Sequence, residues 1–124
     1  MSKRMIFYSE KTLDAANLIS AINTPALDHI RDGMRFYVDG KHKWISDDGY
    51  IRNEFAMFGF DDSGEDKNID AYCKRIASHY DCYMKDDELM VDYEGMLDFE
   101  EKLIYIIQAE TIISAEINRR RLYS

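Results

Sequence analysis

The sequence predicts an α+β domain: a small antiparallel sheet, formed by a three-stranded meander and a further hairpin, packed against helices, with a long helix at the C-terminus. Three observations carry this. Met34, Phe36 and Val38 alternate with Arg35, Tyr37 and Asp39, the period-two pattern of a half-buried strand. Ile69, Tyr72, Cys73, Ile76, Ala77 and Tyr80 share one stripe at helical spacing, and so do Phe99, Leu103, Ile106, Ile107, Ile113 and Ile117. At 124 residues, 46% of them hydrophobic, the chain reads as one domain over residues 1–124.

Taken in order, Lys3 to Tyr8 reads as an opening strand. Ser9 then caps a helix to about Asn23, with Ala15, Leu18, Ile19 and Ile22 on one face. Thr24 serves as N-cap and Pro25 as the first position of a short helix, Ala26 to Asp32, which Gly33 ends in a left-handed cap. The meander follows. Its first strand closes on a two-residue turn at Asp39-Gly40, Lys41 to Ser46 returns, and after the turn Asp47-Asp48-Gly49 a third strand runs from Tyr50 to Phe60. Asp61 to Glu65 is a polar loop and residues 67–80 are a helix. Cys82 to Met84 and Leu89 to Tyr93 read either as two strands around Lys85-Asp86-Asp87-Glu88 or as part of a helix extended through Lys85. Gly95 breaks the chain before the final helix, which Asp98 and Glu101 open as a capping box and which runs to about Arg121.

Charge is segregated along this frame. The formal net charge is −8, yet residues 1–60 sum to zero and residues 102–124 to +2, so residues 61–101 carry −10. A field of this kind repels nucleic acid and attracts basic surfaces. No apolar run approaches the roughly 18 residues of a membrane span, and the basic start, Met1 to Tyr8, lacks the apolar stretch and cleavage site of a secretory signal. Cys73 and Cys82 are too few for a disulfide framework and read as thiols of a reducing compartment, so a cytoplasmic protein is expected. There is no glycine-rich phosphate loop, serine nucleophile elbow or His-Glu-x-x-His motif. The expectation is a protein without cofactor or catalytic residues.

Several constellations admit a plainer explanation beside a functional one. Glu110 lies in the middle of the apolar stripe of the final helix, where a carboxylate is costly unless paired. It reads as a general acid or base with a raised pKa, as the partner of a buried Arg or Tyr, or as a residue at which the helix leaves the core. Cys73, His79 and Cys82 supply three ligand types where zinc usually takes four, and Cys73 belongs to an apolar stripe, so no metal site is assigned. Asp61-Asp62-Ser63-Gly64-Glu65-Asp66 departs from the EF-hand pattern in both its glycine and its twelfth residue. Lys41-His42-Lys43-Trp44, with Arg35, Tyr37, Tyr50 and Arg52, is the one basic–aromatic patch, but the acidic remainder opposes a phosphate backbone, and no direct nucleic-acid binding is expected. Arg119-Arg120-Arg121 complements the negative end of the helix dipole.

The expected function is therefore recognition of a basic protein, such as a nuclease or another nucleic-acid enzyme, through an acidic face that occupies phosphate positions. The contact set is Asp61, Asp62, Glu65, Asp66, Asp86, Asp87, Glu88, Asp92 and Glu94, with Tyr83 and Tyr93 as aromatic anchors. In charge and size the chain is similar to immunity proteins against nuclease toxins and to phage proteins that disarm host nucleases. Two alternatives stand beside this reading. One is a homo-oligomeric assembly protein, a homodimer for instance, joined along the final helix through Ile104, Ile112 and Ala115, which lie off its main stripe. The other is a small-ligand-binding protein or an enzyme with an unfamiliar site.

Overall fold

The computed structural model describes residues 8–28, 33–60 and 67–123. The fold is α+β: six antiparallel strands form one sheet in the order β1-β2-β3-β4-β6-β5, and three helices pack on one face of it. The strands are β1 (Ser9–Asp14), β2 (Ile19–Leu27), β3 (Gly33–Asp39), β4 (Trp44–Ser46), β5 (Tyr83–Lys85) and β6 (Glu88–Asp92), and the helices are α1 (Tyr50–Met57), α2 (Lys67–His79) and α3 (Met96–Tyr123). The core joins Ile22, Phe36, Ile45 and Val91 from the inner sheet face to Phe55, Ile69, Cys73, Leu103, Ile106 and Ile113 from the helices, all fully buried. The expected apolar stripes of α2 and α3 and the alternation in β3 are the surfaces that meet there.

The first third of the chain departs from expectation. Instead of a helix from Ser9 to Asn23, β1 and β2 form a hairpin, with Ser9 opposite Asn23 and Asp14 opposite Ile19. Turn chemistry decides this. The Asp14 carboxylate accepts hydrogen bonds from the Asn17 backbone and amide side chain at 3.3 and 2.7 Å, and Leu18 takes a positive φ of 56°. Such local acceptors compete with the helical ladder. Nor does Pro25 open a helix: β2 continues to Leu27, and Gly33 begins β3 rather than capping anything. Residues 29–32, most of the strand expected over Lys3 to Tyr8 and the loop Asp61 to Glu65 lie outside the described residues.

Two further corrections follow from backbone geometry. Asp39 pairs with Trp44, so the β3–β4 connection is a four-residue loop rather than a two-residue turn. The Asp39 carboxylate holds it by accepting from the backbones of Lys41 and His42 and from the His42 ring, and Lys43 adopts a φ of 61°. The segment expected as a third strand, Tyr50 to Phe60, is mostly α1. Its start is fixed by Asp47, whose carboxylate accepts from Gly49 and Ile51. Its end is a Schellman motif: Gly59 sits at φ 81°, the Phe60 N–H reaches the Phe55 carbonyl, and the Gly59 N–H reaches Ala56.

The C-terminal half follows the sequence closely. Lys85 pairs with Glu88 across Asp86 and Asp87, both at positive φ, so the two-strand reading of this region holds, in the turn geometry that suits hairpin twist. The capping box of α3 is shifted by three residues. Asp98 does not precede the helix; it lies in its first turn and reaches back to accept from the Gly95 and Glu94 backbones at 2.9 and 3.0 Å. Gly95 is thus the N-cap and Asp98 occupies the third helical position.

Candidate partner-binding surface

The expected acidic contact set divides in three. Asp61, Asp62, Glu65 and Asp66 lie outside the described residues. Asp86 and Asp87 are exposed at the tip of the β5–β6 hairpin, where with Asp70 and Lys74 they border a small cavity of about 180 Å3. Glu88 is half-buried and already engaged, since the Ser46 hydroxyl donates to it at 2.6 Å. The others converge at the opposite end of the hairpin.

There Tyr83, Asp92, Tyr93 and Glu94 line one groove of about 530 Å3, with Asp81, Asp98 and Lys102 completing its walls. Four carboxylates face one ammonium. The convergence has two sources: the hairpin, where the Tyr83 hydroxyl reaches Asp92, and the turn before β5, where Asp81 at φ 60° bonds to Lys102. The start of α3 supplies the far wall. Tyr83, Asp92, Tyr93 and Glu94 belong to the expected contact set, whereas Asp81 and Asp98 do not; Asp98 is placed by its cap on Gly95 and Glu94, and Asp81 by its bond to Lys102.

The groups in the groove are fixed from below. The Tyr83 hydroxyl donates to Asp92 at 2.6 Å, and burial, with that bond second, pushes the phenol up to about 12. Tyr93 packs edge-on against Phe99 with ring centroids 5.0 Å apart, and its pKa too is raised by burial. The backbone N–H groups of Gly95 and Glu94 hold the Asp98 carboxyl below the ordinary value. Lys102 is bonded to Asp81, and that bond raises its pKa. Cys82 also lines the groove, its thiol pushed up to about 12 by burial. The aromatic rings are therefore half-buried and held, while Glu94 and Asp92 remain exposed. Among the described residues β5 is also an edge strand, with β6 as its neighbour.

A different carboxyl group lies inside the protein. Glu110 is 1% exposed, and among the described residues neither of its oxygens is in hydrogen-bond geometry, although the Asp47 carboxylate lies close enough to interact with it. Among the described residues no Arg or Tyr is bonded to it, and the charged groups acting on it are Asp47 and Asp28, both carboxylates. Burial first, and Asp47 second, push its pKa well above the ordinary range. Asp47 is buried as deeply and is also raised by burial, but it accepts three backbone N–H bonds at 2.9–3.0 Å, from Gly49, Ile51 and Leu89. Those donors favour the charged form. Asp47 is accordingly the ionised member of the pair and Glu110 the protonated one. Asp47 also reaches the wall of an open cavity of about 450 Å3 bordered by Arg35, Tyr37, Tyr50 and Asn53; neither Glu110 nor His79 lines it.

The remaining constellations do not assemble. Cys73 is buried, with a thiol pushed up to about 12 by burial, whereas His79 is exposed on α2. Among the described residues no group of three or more His, Cys, Asp or Glu is arranged to hold a metal ion. Lys41, His42 and Lys43 belong to the β3–β4 loop rather than to a strand face, and Arg35 stacks on Tyr37 at 5.3 Å. At the end of α3, Arg119 and Arg120 both bond to Glu116, and Arg121 lies over the Phe58 ring at 4.7 Å, so internal contacts as well as the helix dipole hold this cluster. Ile104 and Ile112 are half-buried and Ala115 is exposed. No helix among the described residues is long and apolar enough to cross a membrane. No family model, no curated protein and no solved structure matches the chain.

Proposed function

We propose that this protein binds a basic surface of another protein through the groove between the β5–β6 hairpin and the start of α3. By covering that surface it acts as an inhibitor of a cytoplasmic nucleic-acid-handling partner, in the manner of an immunity or anti-defence protein. The observation that carries the reading is the convergence of Asp81, Asp92, Glu94 and Asp98 on one groove with Tyr83 and Tyr93. Carboxylates so grouped occupy positions that phosphates take on a nucleic-acid-binding surface, and the field they make speeds encounter. Tyrosines held by burial offer contact area at little entropic cost, as energetic anchors do.

The test compares wild-type protein with the double variant Asp92→Lys/Glu94→Lys, both residues being exposed. Each is immobilised and exposed to bacterial lysate at about 50 mM and about 500 mM salt, a range over which screening collapses long-range attraction. Retained nucleases and polymerases are then assayed for inhibition by free protein. A basic enzyme held by wild type at low salt, inhibited by it, and released by the charge reversal supports the proposal. Equal retention by the folded double variant removes the groove from the interface.

A further inference from the structure

A cavity of about 450 Å3 opens where β3 meets the start of α1, a size within the range of small-molecule sites. One wall is the side of β3 that carries Arg35 and Tyr37, two residues apart and so on one face of the strand. It is the side turned away from the helices, because Met34, Phe36 and Val38 alternate with them and are buried in the core. The other wall is the turn at Asp48 and Gly49 together with the first turn of α1, where Tyr50 and Asn53 stand three residues apart on one helix face. The cavity shares no residue with the acidic groove.

Both walls are fixed by their own contacts. The Asp48 N–H donates to the Ser46 hydroxyl and the Gly49 N–H to the Asp47 carboxylate, each at 2.9 Å. The Tyr50 hydroxyl donates to Asp28 at 2.5 Å. The Arg35 guanidinium lies 5.3 Å from the centre of the Tyr37 ring, a contact that occupies none of its N–H donors and leaves the fork for a planar anion. The Arg35 guanidinium, the Tyr37 hydroxyl, the Asp48 carboxylate and the Asn53 side-chain amide make no hydrogen bond or ion pair with any other described residue. Four groups of different chemistry, brought from two walls, thus converge unengaged on one space.

Their charges select the ligand. An anion at Arg35 would be repelled by Asp48 and by neighbouring Asp47, and a cation at Asp48 would be repelled by Arg35. A molecule that carries both charges offsets each repulsion with an attraction. In an α-amino acid the carboxylate and the ammonium stand on one carbon, so it can bridge a guanidinium and a carboxylate that form no ion pair with each other. The rings of Tyr37 and Tyr50 add aromatic surface for its side chain. We infer that this cavity binds a free aromatic α-amino acid, with the carboxylate on Arg35, the ammonium on Asp48 and the ring against Tyr37 and Tyr50.

Amide NMR titration of the full chain with L-phenylalanine and with L-tryptophan tests this. Saturable shifts centred on Arg35, Tyr37, Gly49 and Asn53 are expected, with Kd below about 1 mM, as fits a ligand of about a dozen heavy atoms. Phenylalaninamide, which lacks the carboxylate, and N-acetylphenylalanine, which lacks the ammonium, should each bind at least about tenfold more weakly than phenylalanine. Arg35→Gln should abolish the difference between phenylalanine and its amide, and Asp48→Asn the difference between phenylalanine and its N-acetyl form. Both residues are exposed, and asparagine tolerates the φ of 57° at position 48, so the fold is retained. No saturable shift with either amino acid up to about 10 mM, shifts centred elsewhere, or analogue preferences that survive the substitutions overturn the inference.

Discussion

Replacing Glu110 with Gln should remove a pH dependence that wild-type stability carries. Glu110 is neutral in the folded protein because burial and Asp47 hold its pKa well above the 4.5 of an unperturbed glutamate. The unfolded chain gives up that proton from about pH 4.5 upward, while the folded protein keeps it. The unfolded state therefore binds fewer protons, and stability falls as pH rises, until the folded carboxyl itself titrates. The slope for one proton is about 1.4 kcal/mol per pH unit, and for a domain of this length that amounts to about 5 °C in Tm per unit. Asp47 is also raised by burial, but its three backbone N–H donors hold it ionised, so the slope is carried by Glu110. Asp39 and Glu116 have lowered values, so their contribution is complete above the 3.8 and 4.5 of the unfolded groups and is lost only at more acidic pH. The raised thiols and phenols begin at 9.0 and 10.0 and act only above them. The lowered carboxyls and the raised thiols and phenols thus act outside the range between pH 5 and 8. Thermal unfolding followed by circular dichroism at constant ionic strength is the assay. Wild-type Tm should fall across that range, and Glu110→Gln, which can donate to Asp47 but cannot ionise, should flatten the curve and be the more stable protein at pH 8. A wild-type Tm that is flat or rising, or a slope that survives in Glu110→Gln, would refute the reasoning.

Two other outcomes are expected. Gly59→Ala should cost about 1 kcal/mol in chemical denaturation, because position 59 sits at φ 81° while a Cβ there would meet nothing within 4 Å, leaving backbone strain as the sole penalty; a neutral substitution would remove the left-handed cap from the account of α1. Cys73 and Cys82, both buried with thiols pushed up to about 12, should react with a thiol reagent at pH 8 only at the rate of unfolding, and prompt labelling of either would contradict that burial.

The stripes of α2 and α3 were legible because each repeats one chemistry at one period. The β1–β2 hairpin was not. Its inner-face positions Ser20, Ile22 and Thr24 mix polar with apolar residues, and Ala15, Leu18, Ile19 and Ile22 coincide with helical spacing. The deciding signal was the Asp14-x-x-Asn17 pair at the turn. In α1, Asp47 and Gly59 bracket an eight-residue helix, but the β-branched and aromatic residues between them favour a strand on propensity alone. The burial of Glu110 could be read from its wheel position, whereas its neighbour could not, since Asp47 reaches α3 only through the tertiary fold. All four carboxylates of the groove stand in the charged run, but charge alone does not say which of its acids converge; Asp98 is placed by its cap and Asp81 by its bond to Lys102, both features of the folded chain.

The sheet order places one long-range seam among otherwise local pairings. β1 to β4 form a chain of adjacent hairpins, β5 and β6 form another, and the two are joined where β4 meets β6. Asp47 and Ser46 reach across that seam to Leu89 and Glu88, each bond 42 residues apart in sequence. Closing a loop of that length costs about 2 kcal/mol more entropy than closing a four-residue hairpin. Thus the carboxylate that starts α1 and keeps Glu110 protonated is also the clasp between the two halves of the chain. Contact order is concentrated at a single joint, and the order in which the halves wind matters less than the moment at which they meet.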